Sequence, residues 1–232
     1  MKEKIEQARN FENAIQIISE ESCRLGVYAL QFEFAERFGS RLDDVVIIPI
    51  LRGGKRIGEK IPSKLNVDFA PMQMSYYDDK NQRLESPICK VEPDINKIIV
   101  NGKTRNVVFA EGVVDSEGTI KKSIQAVNTM IDKFNVENKA TYAYPEYHVF
   151  ALVSKVNGNS TIPNFVYAFK VDSRIWVHGW GVDNGQKGRE EDSMFGIMSP
   201  YADSVPTEPY VTQSKFFNKY FRQGIIAKPE DD

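Results

Sequence analysis

The run Val107-Val108-Phe109-Ala110-Glu111-Gly112-Val113-Val114-Asp115-Ser116-Glu117-Gly118-Thr119 joins a buried strand to the start of a helix. Its apolar, β-branched opening reads as a strand over 106–110 that ends in an acidic loop. Two hydroxyl residues and a glycine then lie where a helix is expected to begin, from about Thr119 to Phe134. A helix N-terminus presents unpaired amides and the positive end of its dipole. Ser116, Gly118 and Thr119 with their amides therefore make an anion cradle, and the hydroxyls add adaptable donors. N-capping by Ser116, with Glu117 in the first turn, accounts for the helix start. It does not account for Glu111 and Asp115 together, which beside an anion point to sugar hydroxyls, a cation or a reacting proton.

Upstream, Val45-Val46-Ile47-Ile48-Pro49-Ile50 is a second continuous apolar run, the pattern of a strand buried on both faces. Leu51-Arg52-Gly53-Gly54 follows at once, then a helix expected over 55–64. Two glycines allow close backbone approach or a positive φ, and a tight strand-to-helix turn needs no more. The run lacks the GxxxxGK[ST] pattern of a Walker loop. Further strands are expected at 68–74, 147–153, 164–169 and 175–177. Residues 75–95 are polar and long for a structureless loop, hence either mobile and functional or partly a hairpin. Ile5, Ala8, Phe11, Ala14, Ile15 and Ile18, then Leu30, Phe34 and Phe38, recur at helical spacing and predict helices over 5–38. After Pro200 the chain reads as irregular, with an aromatic and basic cluster at 215–222. Strands alternating with helices imply a largely parallel sheet, whose ligands bind at the carboxyl ends of its strands.

Composition narrows the function. The 232 residues suit a single domain, and 41 % apolar with 27 % charged residues is a globular balance. A net charge of −2 and a pI near 5.9 exclude a broad nucleic-acid footprint, though not a small phosphate ligand. Cys23 and Cys89, the two cysteines, form no close-spaced pair, which speaks against a zinc site or a redox motif. Residues 1–10 are charged without an apolar stretch, and no run is long enough to cross a bilayer, so no membrane association and a cytoplasmic location are expected. Two isolated histidines, His148 and His178, are poor metal-site candidates.

The 107–119 segment resembles the signature of the type I phosphoribosyltransferases, which transfer a base onto phosphoribosyl pyrophosphate and release pyrophosphate. Other segments resemble the hypoxanthine-guanine branch in the same order: the Leu51–Gly54 loop, Ser75-Tyr76, Lys155, the run Trp176-Val177-His178-Gly179-Trp180-Gly181-Val182-Asp183, and Arg189. The resemblance covers about 44–190. It implies an α/β fold, a largely parallel sheet flanked by helices, with a small hood subdomain and a mobile lid loop. The chain is then one domain over 1–232, with its core at 44–190, N-terminal helices at 5–38 and a tail at 200–232.

The resemblance further implies Asp115 as general base. The phosphoribosyl pyrophosphate would be bound by Arg52, Gly53, Ser75, Tyr76, Glu111, Asp115, Ser116, Glu117, Gly118, Thr119 and Arg189. The purine would be held by Val113, Lys155, Trp176, Val177 and Asp183, with Lys155 donating to a 6-oxo group and Trp176 stacking. Mg²⁺ would be bound by Asp183 and Glu111, and a homo-oligomer, dimer or tetramer, is expected. Two departures stand out: Gly112 where a second acid is usual, and Glu117 where a glycine is usual. They favour one alternative, a non-catalytic regulator of the same fold that senses a phosphoribosyl ligand. Another is the same reaction on a different base, since Pro49-Ile50-Leu51-Arg52 resembles the uracil enzymes.

Overall fold

In a computed structural model, which describes residues 14–62, 65–80, 82–157, 159–182, 192–198 and 211–222, the apolar runs are strands at the centre of one sheet. In chain order the elements are β1 (Ile15–Ile18), α1 (Glu20–Phe38), β2 (Val45–Leu51), α2 (Lys55–Lys60), β3 (Asp68–Phe69), β4 (Met72–Tyr77), β5 (Arg83–Val91) and α3 (Ile95–Ile98). Then come β6 (Ile99–Val100), β7 (Lys103–Thr104), β8 (Asn106–Val114), α4 (Glu117–Asn138), β9 (Tyr147–Ser154), β10 (Phe165–Val171), β11 (Ile175–Gly179), β12 (Met194–Met198), β13 (Val211–Gln213) and α5 (Lys215–Arg222).

The main sheet has eight strands in the order β13-β10-β9-β8-β2-β4-β5, with β3 beside β2. Its centre is parallel: β2 pairs with β4 and β8, and β9 with β8 and β10. Its two borders are antiparallel, β5 on β4 and β13 on β10. Alternate residues of β2 explain why the run is apolar throughout. Val45 and Ile47 pack with α1, α2 and α5 on one face. Val46, Ile48 and Ile50 pack with α3 and α4 on the other. Burying each such side chain contributes roughly 1.5–3 kcal/mol before entropy is counted. A separate antiparallel sheet, β1-β12-β11, carries the late Trp176 segment and corresponds to the expected hood.

Several expectations are corrected. Ile15–Ile18 is a strand paired with β12, and the helix begins only at Glu20. Ser19 caps it, accepting from the Ser22 amide at 3.2 Å, while Ile15 pairs with Gly196 and Ile18 with Met194. The expected helix positions 5–13 lie outside the described residues. The expected strand 68–74 is split by Pro71, which has no amide to give, while the polar stretch after it forms the β4–β5 hairpin that one of its two readings had. Strand β8 runs on to Val114, so Glu111 sits on a strand rather than in a loop. The region after Pro200 is not wholly irregular. β13 closes the sheet border and α5 buries Phe217 and Tyr220, whose hydroxyl donates to Glu33 at 2.8 Å.

Candidate active site

The turn after β2 is shaped by the absence of side chains. A Cβ on Gly54 would lie 2.0 Å from the Ala110 carbonyl oxygen, so the turn folds tightly over the neighbouring strand β8. The Leu51–Arg52 peptide within it is cis. On the same side, a Cβ on Gly53 would fall 2.7 Å from Oε1 of Glu111. A Cβ on Gly112 would meet Val182 Cγ2 at 2.6 Å and the Gly53 carbonyl at 2.9 Å. The position where a second acid is usual therefore has no room for one. The turns after β2 and β11 meet strand β8 here.

Glu111 is partly exposed as a residue, but its carboxylate is crowded behind the Gly53 turn. Burial pushes it up to about 8, against a smaller opposing effect from the Gly112 amide, which donates to Oε1 at 2.9 Å. At neutral pH it therefore holds a proton. A raised carboxyl stabilises the fold fully below its unfolded value of 4.5, and that contribution is lost as pH rises through about 8. Glu111→Gln is expected to raise the melting temperature at pH 8.5 by roughly 3 °C and to leave it unchanged at pH 4. Melting curves across pH check this; an equal shift at both ends would mean that burial of Glu111 is not the cause.

Asp115 lies just past β8 with 70 % of its side chain exposed, and it ion-pairs with the Lys155 ammonium, which is only 7 % exposed. Lys155 comes directly after β9, where its amide donates to the Val114 carbonyl at 2.9 Å. The two parallel strands thus deliver the pair side by side. Asp172, at the end of β10, also lies within electrostatic reach of Lys155. Its carboxyl is held down to about 2 chiefly by hydrogen bonds from Arg174.

Ser116 occupies the N-cap position of α4, but its side chain makes no capping hydrogen bond and is exposed. Gly118 and Thr119 follow in the first turn. Glu117 points away from the cradle. Its carboxylate accepts from Ser160 Oγ at 2.9 Å, the Thr161 amide at 2.6 Å and Thr161 Oγ1, and it pairs with Lys121 at 2.6 Å. The Lys121 contact is the largest cause of its fall to about 2. From the hairpin, the Tyr76 hydroxyl comes within 3.1 Å of where a Gly118 Cβ would be. Ser75 is turned onto its own strand, donating to the Tyr77 carbonyl at 2.9 Å and accepting from the Tyr77 amide at 3.0 Å.

On β11, Trp176 keeps 44 % of its surface exposed, whereas Val177 is buried in the core. Val113 is half-buried and Arg52 exposed. Asp183 and Arg189 lie outside the described residues. The turn leading to Asp183 is described: Gly179 and Val182 exchange hydrogen bonds of 2.8 and 2.9 Å across Trp180 and Gly181. Both central residues have positive φ, +51° and +90°, as a tight two-residue hairpin turn of this hand requires. Trp180 is buried under the Arg56 guanidinium, 4.2 Å above its ring, and Arg56 also ion-pairs with Asp192. Arg56 and Asp172 were not singled out from the sequence. No motif marks them, although a tryptophan between two glycines is a visible sign of an unusual turn.

Among the described residues no group of three or more His, Cys, Asp or Glu could hold a metal ion. No described helix is long and apolar enough to cross a membrane.

A parallel α/β core with a small antiparallel sheet beside it, and loops converging at the carboxyl ends of β2, β8 and β9, is the type I phosphoribosyltransferase fold. Among solved structures the chain is similar to the hypoxanthine phosphoribosyltransferase of Trypanosoma cruzi, solved in complex with its product IMP, at 16 % identity and a TM-score of 0.59 over 82 % of this chain and 94 % of that one. It is also similar to the hypoxanthine-guanine enzyme of Leishmania donovani (15 % identity, TM-score 0.54, 79 % and 99 % covered). A third is the hypoxanthine-guanine enzyme of Bacillus anthracis (18 %, 0.52, 79 % and 98 %). No family model matches the sequence, and no curated protein does. The chain therefore has the fold of these enzymes.

Proposed function

We propose that the protein is a Mg²⁺-dependent phosphoribosyltransferase that moves a 6-oxopurine base onto phosphoribosyl pyrophosphate. The observation that carries this is the Asp115–Lys155 pair beside an uncapped helix start. A 5-phosphate would seat on the amides and hydroxyls of Ser116, Gly118 and Thr119. Glu111 would take the ribose hydroxyls. Arg52 and the Gly53 turn would hold pyrophosphate, with Arg189. A bound Mg²⁺, held by Asp183 and Glu111, would neutralise charge on the leaving group. Asp115 would accept the proton of the purine imidazole edge, and Lys155, fixed next to it, would donate to the 6-oxo oxygen. Trp176 has the exposure that a stacking ring needs.

Both departures that favour the regulator reading also have a structural account. Gly112 is explained by the space Val182 and Gly53 leave, and Glu117 is turned out of the cradle.

Purified protein with Mg²⁺, phosphoribosyl pyrophosphate and one base at a time tests the proposal, with products read by mass spectrometry. The expected product is a 5′-monophosphate from hypoxanthine, guanine or xanthine. Lys155→Met is expected to cut kcat/KM on that base about a hundredfold. Turnover of adenine or uracil alone would overturn the role of Lys155. Binding of the sugar pyrophosphate with no product from any base would overturn the enzyme.

A further inference from the structure

Two carboxylates two residues apart, Asp115 and Glu117, both grip the loop between β9 and β10. Asp115 holds Lys155 at the loop's start. Glu117 holds Ser160 and Thr161 near its end, through the hydroxyls of both and the amide of Thr161. Between them, Asn157 donates to Ser173 Oγ at 2.9 Å, tying the loop's middle to the turn after β10. Beyond it, Ile162 is buried against the α4 face of the sheet. Both carboxylate oxygens of Glu117 are spent on this loop or on Lys121 of its own helix, and the side chain is 16 % exposed. The loop is therefore suspended from the same helix start that makes the anion cradle.

We propose that Glu117 is a positioning residue that fastens the base-side loop to the phosphate cradle, so that Lys155 is aimed by the element that seats the sugar phosphate. This rests on the reading given under Proposed function. An acidic residue in an anion cradle ordinarily weakens it. Here Lys121 and three donors occupy the carboxylate, and the cradle's own amides are left for the ligand.

The test compares wild type with Glu117→Ala, Glu117→Gln, Thr161→Val, Thr161→Ser and the double variant Glu117→Ala/Thr161→Val. KM is measured separately for the base and for phosphoribosyl pyrophosphate. Glu117→Ala is expected to raise KM for the base about tenfold. KM for the sugar pyrophosphate should stay within about threefold, because only a first-turn charge is lost. Glu117→Gln, which keeps one acceptor oxygen, should fall between, Thr161→Val should shift in the same direction, and Thr161→Ser should behave as wild type. The double variant should be no worse than Glu117→Ala alone, since Glu117→Ala already removes the contact that Thr161→Val removes. Additive effects, or a rise in KM confined to the sugar pyrophosphate, would overturn the proposal.

Should wild type make no nucleotide at all, the functional reading fails, and the latch is judged by deuterium exchange alone. Exchange of the 159–162 amides about tenfold faster in Glu117→Ala would uphold it. Unchanged exchange would sink it.

Discussion

Asp115→Asn is expected to lower kcat by about a hundred- to a thousandfold with the fold intact. The side chain is 70 % exposed and ion-pairs with Lys155, so removing its charge should cost little stability, on the order of 1 kcal/mol or less. Asparagine keeps the shape and can still accept from the ammonium, but it cannot take a proton. The loss should therefore fall on kcat, while KM for the sugar pyrophosphate changes little. Steady-state kinetics beside a thermal melt separate the outcomes. A fall of less than about threefold, with the melting temperature unchanged, would remove Asp115 from the chemistry and leave it as the anchor of Lys155.

Gly54→Ala should give the largest loss of stability of any single-methyl addition near the site. Gly54 has φ −77° and ψ −10°, values any residue adopts, so only contact forbids a side chain there. The contact is severe: the new Cβ would meet the Ala110 carbonyl oxygen at 2.0 Å and the Ile50 backbone nitrogen and oxygen at 2.8 Å. These are backbone atoms of two central strands, which cannot step aside as a side chain can. A cost of about 3 kcal/mol or more is expected, a fall in melting temperature of roughly 6–12 °C. Gly118→Ala is the control. Its Cβ meets only the ends of Tyr76 and Ser116, at 3.1 and 3.6 Å, so it should melt within about 2 °C of wild type. Equal melting of the two variants would refute the backbone clash.

The centre of the sheet is readable in the sequence because parallel strands buried on both faces must be apolar at every position. Val45–Ile50, Val107–Ala110 and Tyr147–Val153 announce themselves that way. The borders are not readable. Ile15 and Ile18 are three apart, a spacing a helix uses as readily as a strand, and β1 is fixed by Gly196, far along the chain. β13 is three residues long and exists only because Phe169–Val171 offers it an edge. At the site, the residue types and their order suggest the cradle and Lys155, but no pattern shows which way a side chain turns. Glu117 reads as an acid beside a phosphate, while in space it faces the 160–161 turn. Arg56 carries no motif in the sequence and in space is the cover of Trp180.

The parallel centre also bears on how the molecule comes to exist. Its pairings join distant stretches of chain: Val45 meets Asn106 across two short helices and the strands β3 to β7, and Val107 meets Tyr147 across α4. Such closures cost entropy before any contact rewards them, whereas the β4–β5 hairpin closes over a few residues. The hairpin can form early, but the Asp115–Lys155 pair requires β8 beside β9, and the latch on Thr161 requires α4 in place as well. A half-folded chain thus carries Tyr76 on its hairpin with nothing for it to cover, and competence arrives only with the last crossovers.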